Sequence, residues 1–246
     1  MKPSFFFFVG IMPLIMMSCQ NEGCTNPQAT NFNEEATLDD GTCYLPGDPV
    51  LFDGYSYDVI QIGDQYWFAE NLRTTTYASG ETLPKIPNYS DWSSTSAGAY
   101  CNPNNSSAAV SVYGRFYNRF SVTAPQGLCP TGWHIPSDED WLTLIEYVGL
   151  LGYTGQEGCA LRASELWDEF WCSEGDPFSF SSLPAGSRRD DGSYDMNNRT
   201  ASWWSSTLDE SGNPKFWWDY DILPGLDESP DGVSGNNGLC IRCIMD

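Results

Sequence analysis

The sequence predicts an α+β domain, and three observations carry that prediction. Strand-like alternation lies mainly toward both ends of the chain, with helical periodicity between. Beyond Cys19, the residue that follows an apolar leader, lie eight cysteines, an even number suited to a disulfide-bridged chain outside the cytosol. Aromatic residues make up 15% of the chain, with ten Trp, which is inconsistent with disorder.

The first residues read as a secretory leader. Lys2 supplies one positive charge, Phe5 to Met17 runs almost without polarity, and Ser18 is a small residue before Cys19. That apolar run is shorter than the about 20 residues a spanning helix needs, and Pro13 interrupts it. Met16-Met17-Ser18-Cys19 resembles a bacterial lipobox, although Met16 and Met17 replace the usual Leu and small residue. Residues 1–18 are therefore expected to be a lipoprotein signal peptide, with lipid on Cys19. Gln20 lacks the Asp that retains many lipoproteins in an inner membrane, which points to the outer membrane and the cell surface.

Charge narrows the partners. Eleven basic against 33 acidic residues leave a net −22 with the lone His neutral. Such a chain is repelled by phosphate backbones and by anionic lipid, so nucleic acid is excluded and the membrane is reached only through the anchor.

Residues 19–51 read as a tether, a Cys-bounded mini-repeat (24–43) and a linker. The mini-repeat is polar and rich in turn formers, and a Cys24–Cys43 bridge closing it contributes about 3 kcal/mol. Its Asn31, Asn33, Asp39 and Asp40 could ligate calcium, but Asx residues also simply build turns, which is the favoured reading. Pro46, Gly47 and Pro49 mark the linker.

The main domain, 52–246, opens with a hairpin: Tyr57 to Ile62, a Gly63-Asp64 turn, and Gln65 to Ala69. Residues 77–107, rich in Ser, Asn, Pro and Gly, predict a long loop. Tyr113, Phe116, Tyr117 and Phe120 fall at helical spacing and predict a short helix. The strongest helix starts at Ser137 with Asp140 completing a capping box, presents Trp141, Leu144, Ile145 and Val148 on one face, and should end at Gly149. Short strands are expected at 178–183, 202–207, 216–220 and 239–244.

At this point a family likeness emerges. Tyr66 to Arg73, Tyr113-Gly114, Cys129-Pro-Thr-Gly-Trp-His-Ile-Pro-Ser137, Leu183-Pro-Ala-Gly-Ser-Arg188, Trp203-Trp-Ser-Ser-Thr207 and Ile241-Arg-Cys-Ile244 recur in order. Together they resemble the Fibrobacter succinogenes major paralogous domain. The resemblance implies a C-type-lectin-like mixed sheet with flanking helices and long loops, and no settled activity. The family pattern keeps Cys243 and not Cys240, which implies a Cys129–Cys243 bridge. Cys101–Cys240 and a local Cys159–Cys172 bridge are the next expectations, while spacing alone leaves connectivity open.

Catalytic signals are sparse. His134 is the only histidine, no Gly-x-Ser-x-Gly elbow occurs, and a structural role suits His134 beside Trp133 and a helix cap. One His and bridged cysteines leave few zinc ligands. Cys240-Ile-Arg-Cys243 is strand-like, so its cysteines should face opposite sides rather than form a redox pair. Carboxylates are too abundant for any pair to stand out as a hydrolase site. The Glu-Pro-Asn, Gln-Pro-Asp and Trp-Asn-Asp calcium motifs of sugar-binding lectins do not occur. Asp190, Asp191, Asp195 and Asn197 form an acidic loop that solvated turns explain.

The Trp doublets 203/204 and 217/218 remain. Strand neighbours face opposite sides, so one of each pair should meet solvent or a covering loop, unless the sheet is buried on both sides. Trp204, Trp217 and Trp218 are thus candidates for stacking on a ligand. The expectation is a surface-anchored, non-enzymatic binding or adhesion module, with a glycan or an envelope protein as partner and no resident cofactor. An enzyme acting on extracellular polymer and a structural envelope component are the alternatives.

Overall fold

The structure, a computed structural model, describes residues 21–246 apart from 30, 31, 42, 44, 169–171, 173, 174, 197 and 234. The chain divides into two compact units, Met1–Leu45 and Pro46–Asp246. The leader, Cys19 and Gln20, Asn31 and Asn197 lie outside the described residues.

In the first unit, β1 (Glu22–Gly23) pairs in parallel with β2 (Leu38–Asp39), and Cys24–Cys43 closes the loop. Asn33 and Asp39 accept hydrogen bonds from the Glu35 and Gly41 amides at 3.0 and 3.1 Å, so these carboxamide and carboxylate oxygens build turns.

The second unit begins earlier than the linker reading allows. β3 (Val50–Phe52) pairs with β4 (Tyr55–Tyr57) around an Asp53-Gly54 turn. The hairpin of β5 (Val59–Ile62) and β6 (Gln65–Phe68) forms about Gly63-Asp64, where Gly63 takes φ 63°. The stretch expected as loop contains α1 (Tyr89–Ser94) and β7 (Tyr100–Cys101).

The helix expected across 113–120 is replaced by α2 (Ser107–Tyr113), β8 (Phe116–Asn118) and α3 (Arg119–Val122). Gly114 is the reason. It sits at φ 75°, and a Cβ there would come within 2.8 Å of the Leu72 carbonyl, so the chain turns sharply out of α2. Phe116 and Tyr117 then point to opposite sides of a strand.

After β9 (Trp133–His134), α4 (Asp138–Val148) carries the complete Ser137/Asp140 capping box and buries Trp141, Leu144 and Val148. Gly149 does not stop it. Gly149 keeps helical φ/ψ, a π-helical turn runs to Tyr153, and the reversal falls at Gly152 with φ 104°. The short α5 (Glu157–Leu161) follows. Residues 178–183 form no strand, because Ser179 and Ser181 adopt φ 56° and 52° around the Asp176 carboxylate.

Beyond lie β10 (Ser187–Arg188), β11 (Tyr194–Asp195), β12 (Thr200–Leu208), β13 (Pro214–Tyr220), β14 (Leu226–Glu228), β15 (Gly238–Leu239) and β16 (Ile244–Met245). They assemble with earlier strands into antiparallel sheets of order β11-β10-β15-β8-β7, β12-β13-β14 and β5-β6-β16-β9. The expected single strand at 239–244 is split between two of these sheets, with Cys240 bridging to Trp203 between them.

The sheets act as a partition between two cores. Trp67, Phe116, Trp203 and Cys240 face a core built with Trp92, Trp141, Phe180 and Trp217. Their neighbours Phe68, Tyr117, Trp204 and Ile241 face a second core with Tyr57, Leu128 and Trp133. This is the period-2 alternation of strands with apolar material on both sides. Cys129–Cys243 staples the second core and Cys159–Cys172 holds α5. The expected Cys101–Cys240 bridge is not made: both thiols are free and buried. The Cys240 Sγ lies 3.7 Å from the Tyr113 carbonyl, and Cys101 engages the Tyr194 hydroxyl, so each is directed to a different polar partner. Among the described residues no helix is long and apolar enough to cross a membrane.

Candidate functional site

The doublets settle differently from one another. Trp203 and Trp204 are both fully buried, because the second core supplies the cover a one-sided sheet would have lacked. The Trp203 indole N–H donates to Asn71 Oδ1 (2.8 Å) and that of Trp204 to the Tyr117 carbonyl (2.7 Å). Trp217 is buried too and donates to Asp138 Oδ1 at 3.1 Å. Trp204 and Trp217 are therefore core residues and cannot stack on a ligand.

Trp218 is different: it lies half-buried on the opposite face of β13. The alternation that hides Trp217 and Asp219 sets Phe216, Trp218 and Tyr220 on this face, all half-buried. The Trp218 and Tyr220 ring centroids are 6.2 Å apart, and the Arg199 guanidinium lies 5.1 Å from the Tyr220 ring. Across the strands, Trp218 pairs with Ser202 and with exposed Asp227. Ser202 is buried, so this aromatic strip is flanked by the exposed Asp227 carboxylate and by Arg199, which is paired with Asp221 at 2.8 Å. Phe216 and Tyr220 were not singled out from sequence, although the i, i+2 spacing in Phe216–Tyr220 carries the signal.

The remaining polar motifs are engaged in hydrogen bonds and ion pairs. His134 Nδ1 lies 2.7 Å from Asp246 and Nε2 3.2 Å from Asp140, so both ring nitrogens face carboxylates. The hydrogen bond to Asp140 raises the His134 pKa above its ordinary value, reinforced by Asp246. Asp140 also accepts the Ser137 hydroxyl (2.6 Å), and these bonds outweigh its burial to hold it at about 2. The arrangement clamps β9 to the start of α4. Asn71 Oδ1, in the Tyr66–Arg73 motif, accepts from Trp203 and from the buried Arg242 guanidinium, whose pKa burial lowers to about 10. Arg188 is also fully buried; it donates to the Ile86, Pro87, Asn88 and Gly192 carbonyls and lies 4.4 Å from the Trp92 ring.

A cleft of about 480 Å³ beside the β12–β13 turn includes Asp209, Glu210, Lys215 and Asp231. Asp209 is occupied by the Ser211 and Asn213 amides, and Lys215 by Glu228 and Asp138. In the acidic loop, Asp191 caps the Ser193 amide and Asp195 pairs with Arg189. Among the described residues no three His, Cys, Asp or Glu side chains converge as a metal requires.

No curated protein and no solved structure matches the chain. The Fibrobacter succinogenes major domain matches residues 60–245, a span that takes in the β5–β6 hairpin from Ile60 onward, both Trp doublets and Arg242. That match covers most of the main unit, and the chain belongs to the Fibrobacter succinogenes major domain family.

Proposed function

We propose that the chain is an exported lipoprotein, anchored through Cys19 in the outer membrane, whose main domain binds a polysaccharide without acting on it. The observation that carries this reading is the strip of half-buried Trp218 and Tyr220 on the face of β13 opposite Trp217. Aromatic faces pack against the apolar faces of sugar rings, while the exposed Asp227 carboxylate lies at hand for hydroxyls. The net charge of −22 favours a neutral polymer over an acidic one. The antiparallel sheets, flanking helices, long connections and the Cys129–Cys243 staple support a C-type-lectin-like architecture for this domain. Calcium is an optional addition, tested by running each assay with and without it.

The deciding experiment is binding of the protein to a glycan array and to insoluble polysaccharides, with Trp218→Ala alongside. Retention of a neutral polymer, lost in Trp218→Ala, is the expected outcome; silence across the panel, or binding indifferent to Trp218, overturns it. Binding only to envelope proteins would transfer the module to a protein partner, and release of shortened chains would make it an enzyme. Export and anchoring are tested separately by labelled fatty acid, which should mark the parent and not Cys19→Ser.

A further inference from the structure

The aromatic strip has a shape as well as a composition. Trp218 and Tyr220 stand two residues apart on β13, and their ring planes are inclined at 52° with centroids 6.2 Å apart. Strand twist is one cause, since a right-handed twist turns successive same-face side chains away from a common direction. The Tyr220 ring is also held in place. The Arg199 guanidinium lies 5.1 Å from its centroid. That guanidinium is itself fixed on the fully buried Asp221 carboxylate, donating from Nε at 2.8 Å and from a terminal nitrogen at 3.2 Å. The Tyr220 carbonyl accepts from Arg162 at 2.7 Å, so the backbone that carries the ring is tied down as well.

This inclination bears on the physical form of a polymer. Two planes at 52° meet only along a line. A crystalline polysaccharide face laid flush on Trp218 would therefore meet Tyr220 obliquely and gain one stacking contact instead of two. It would also strip water from the exposed Asp227 carboxylate, the cross-strand neighbour of Trp218. That desolvation is costly unless hydroxyls fixed in the crystal meet the carboxylate oxygens. A single chain escapes both restrictions. Rotation about a glycosidic linkage tilts one sugar ring against the next, so consecutive rings can lie on Trp218 and Tyr220 in turn. Asp227 then keeps its water and accepts from chain hydroxyls at its own geometry.

We propose that the strip takes a single polysaccharide chain, in soluble or amorphous form, and discriminates against the flat crystalline faces of the same polymer. The proposal rests on the polysaccharide reading given above and adds to it the physical form of the ligand. Both rings take part, because the angle between them, and neither ring alone, selects the form.

Binding isotherms of the full chain on matched forms of one polymer test this: microcrystalline against amorphous cellulose, crystalline against swollen chitin, and crystalline against soluble mannan. Dissociation constants are compared instead of capacities, since an amorphous preparation exposes more chains. Any polymer that is retained should bind about tenfold more tightly in its amorphous or soluble form, and Trp218→Ala and Tyr220→Ala should each weaken that binding about tenfold. Near-ultraviolet circular dichroism verifies that both variants fold. Equal or tighter binding to the crystalline form, or binding unchanged in Tyr220→Ala, would overturn the proposal while leaving polysaccharide binding in place. Retention of no polymer in either form would remove the polysaccharide reading and this inference together. The comparison of forms needs the parent protein alone, so it decides even where a variant fails to fold.

Discussion

Arg162 grips Asp219 with both side chains fully closed to solvent. Its Nε lies 2.9 Å from Oδ1 and 3.0 Å from Oδ2, and a terminal nitrogen meets Oδ1 as well. The other guanidinium bonds go to the Tyr220 (2.7 Å), Asp221 (3.2 Å) and Leu223 (2.6 Å) carbonyls and to Cys172 Sγ (3.5 Å), and Ser182 donates to Asp219 at 3.1 Å. Burial pushes the Asp219 pKa up, against the pull of Arg162. The pair fastens β13, and with it the aromatic strip, to the end of α5. Gly158 leaves the room, since a Cβ there would come within 2.8 Å of Asp219 Oδ1.

Removing one partner strands the other charge. Asp219→Ala should cost about 3–5 kcal/mol in urea unfolding, whereas Arg162→Met with Asp219→Leu should recover most of that loss. A single-variant cost under about 1 kcal/mol would show that the pair does not anchor the strand.

The two residues of the second doublet should separate cleanly. Trp217→Ala empties a core position stacked on Trp141 and should cost about 3–5 kcal/mol. Trp218→Ala should cost about 1 kcal/mol or less and act on ligand retention instead. Thermal melts and polymer pull-downs on the same two proteins check both halves.

Thiol chemistry should report the buried pair. Burial pushes the Cys101 thiol up and the Cys240 thiol up to about 12, so neither offers a thiolate at neutral pH. Both should stay unlabelled by a disulfide reagent in the native protein and react once it is unfolded. Among the bridges, loss of Cys129–Cys243, which spans 114 residues, should cost about 4–5 kcal/mol, against about 3 for the 13-residue span of Cys159–Cys172. The order of melting temperatures of the paired Cys→Ala variants checks this.

His134 makes stability depend on pH in a definite direction. Its folded pKa is raised above 6.5, so its contribution is complete below that value and fades as pH rises through the folded pKa. Asp140 is lowered from 3.8 to about 2, so its contribution is complete above 3.8 and lost toward pH 2. Melting temperature should therefore decline above pH 6.5, and His134→Gln should flatten that decline. Parallel curves for both proteins would remove the clamp from the account.

Much of the scaffold was legible because its signals are local. Gly63-Asp64 between alternating runs specifies a hairpin, and Ser137 with Asp140 specifies a helix start. Phe116 and Tyr117 misled because four aromatics at helical spacing look the same whether one helix or a strand between two short helices carries them. Only the contact of Gly114 with Leu72, 42 positions away, decides between these. The doublets needed knowledge of a second core, and Cys101 and Cys240 needed the positions of Tyr194 and Tyr113.

The stretch from Gly238 to Met245 occupies interior positions in two sheets: β15 between β10 and β8, and β16 between β6 and β9. Ribosomal synthesis delivers these eight residues long after the strands they join. Until they arrive, β6 and β8 each present an unsatisfied edge, and the two cores lack their common partition. Completion of the domain is consequently a late, cooperative event, held open by topology while the chain is being made. Circular permutation that places this stretch first would remove the delay without altering a single native contact within it.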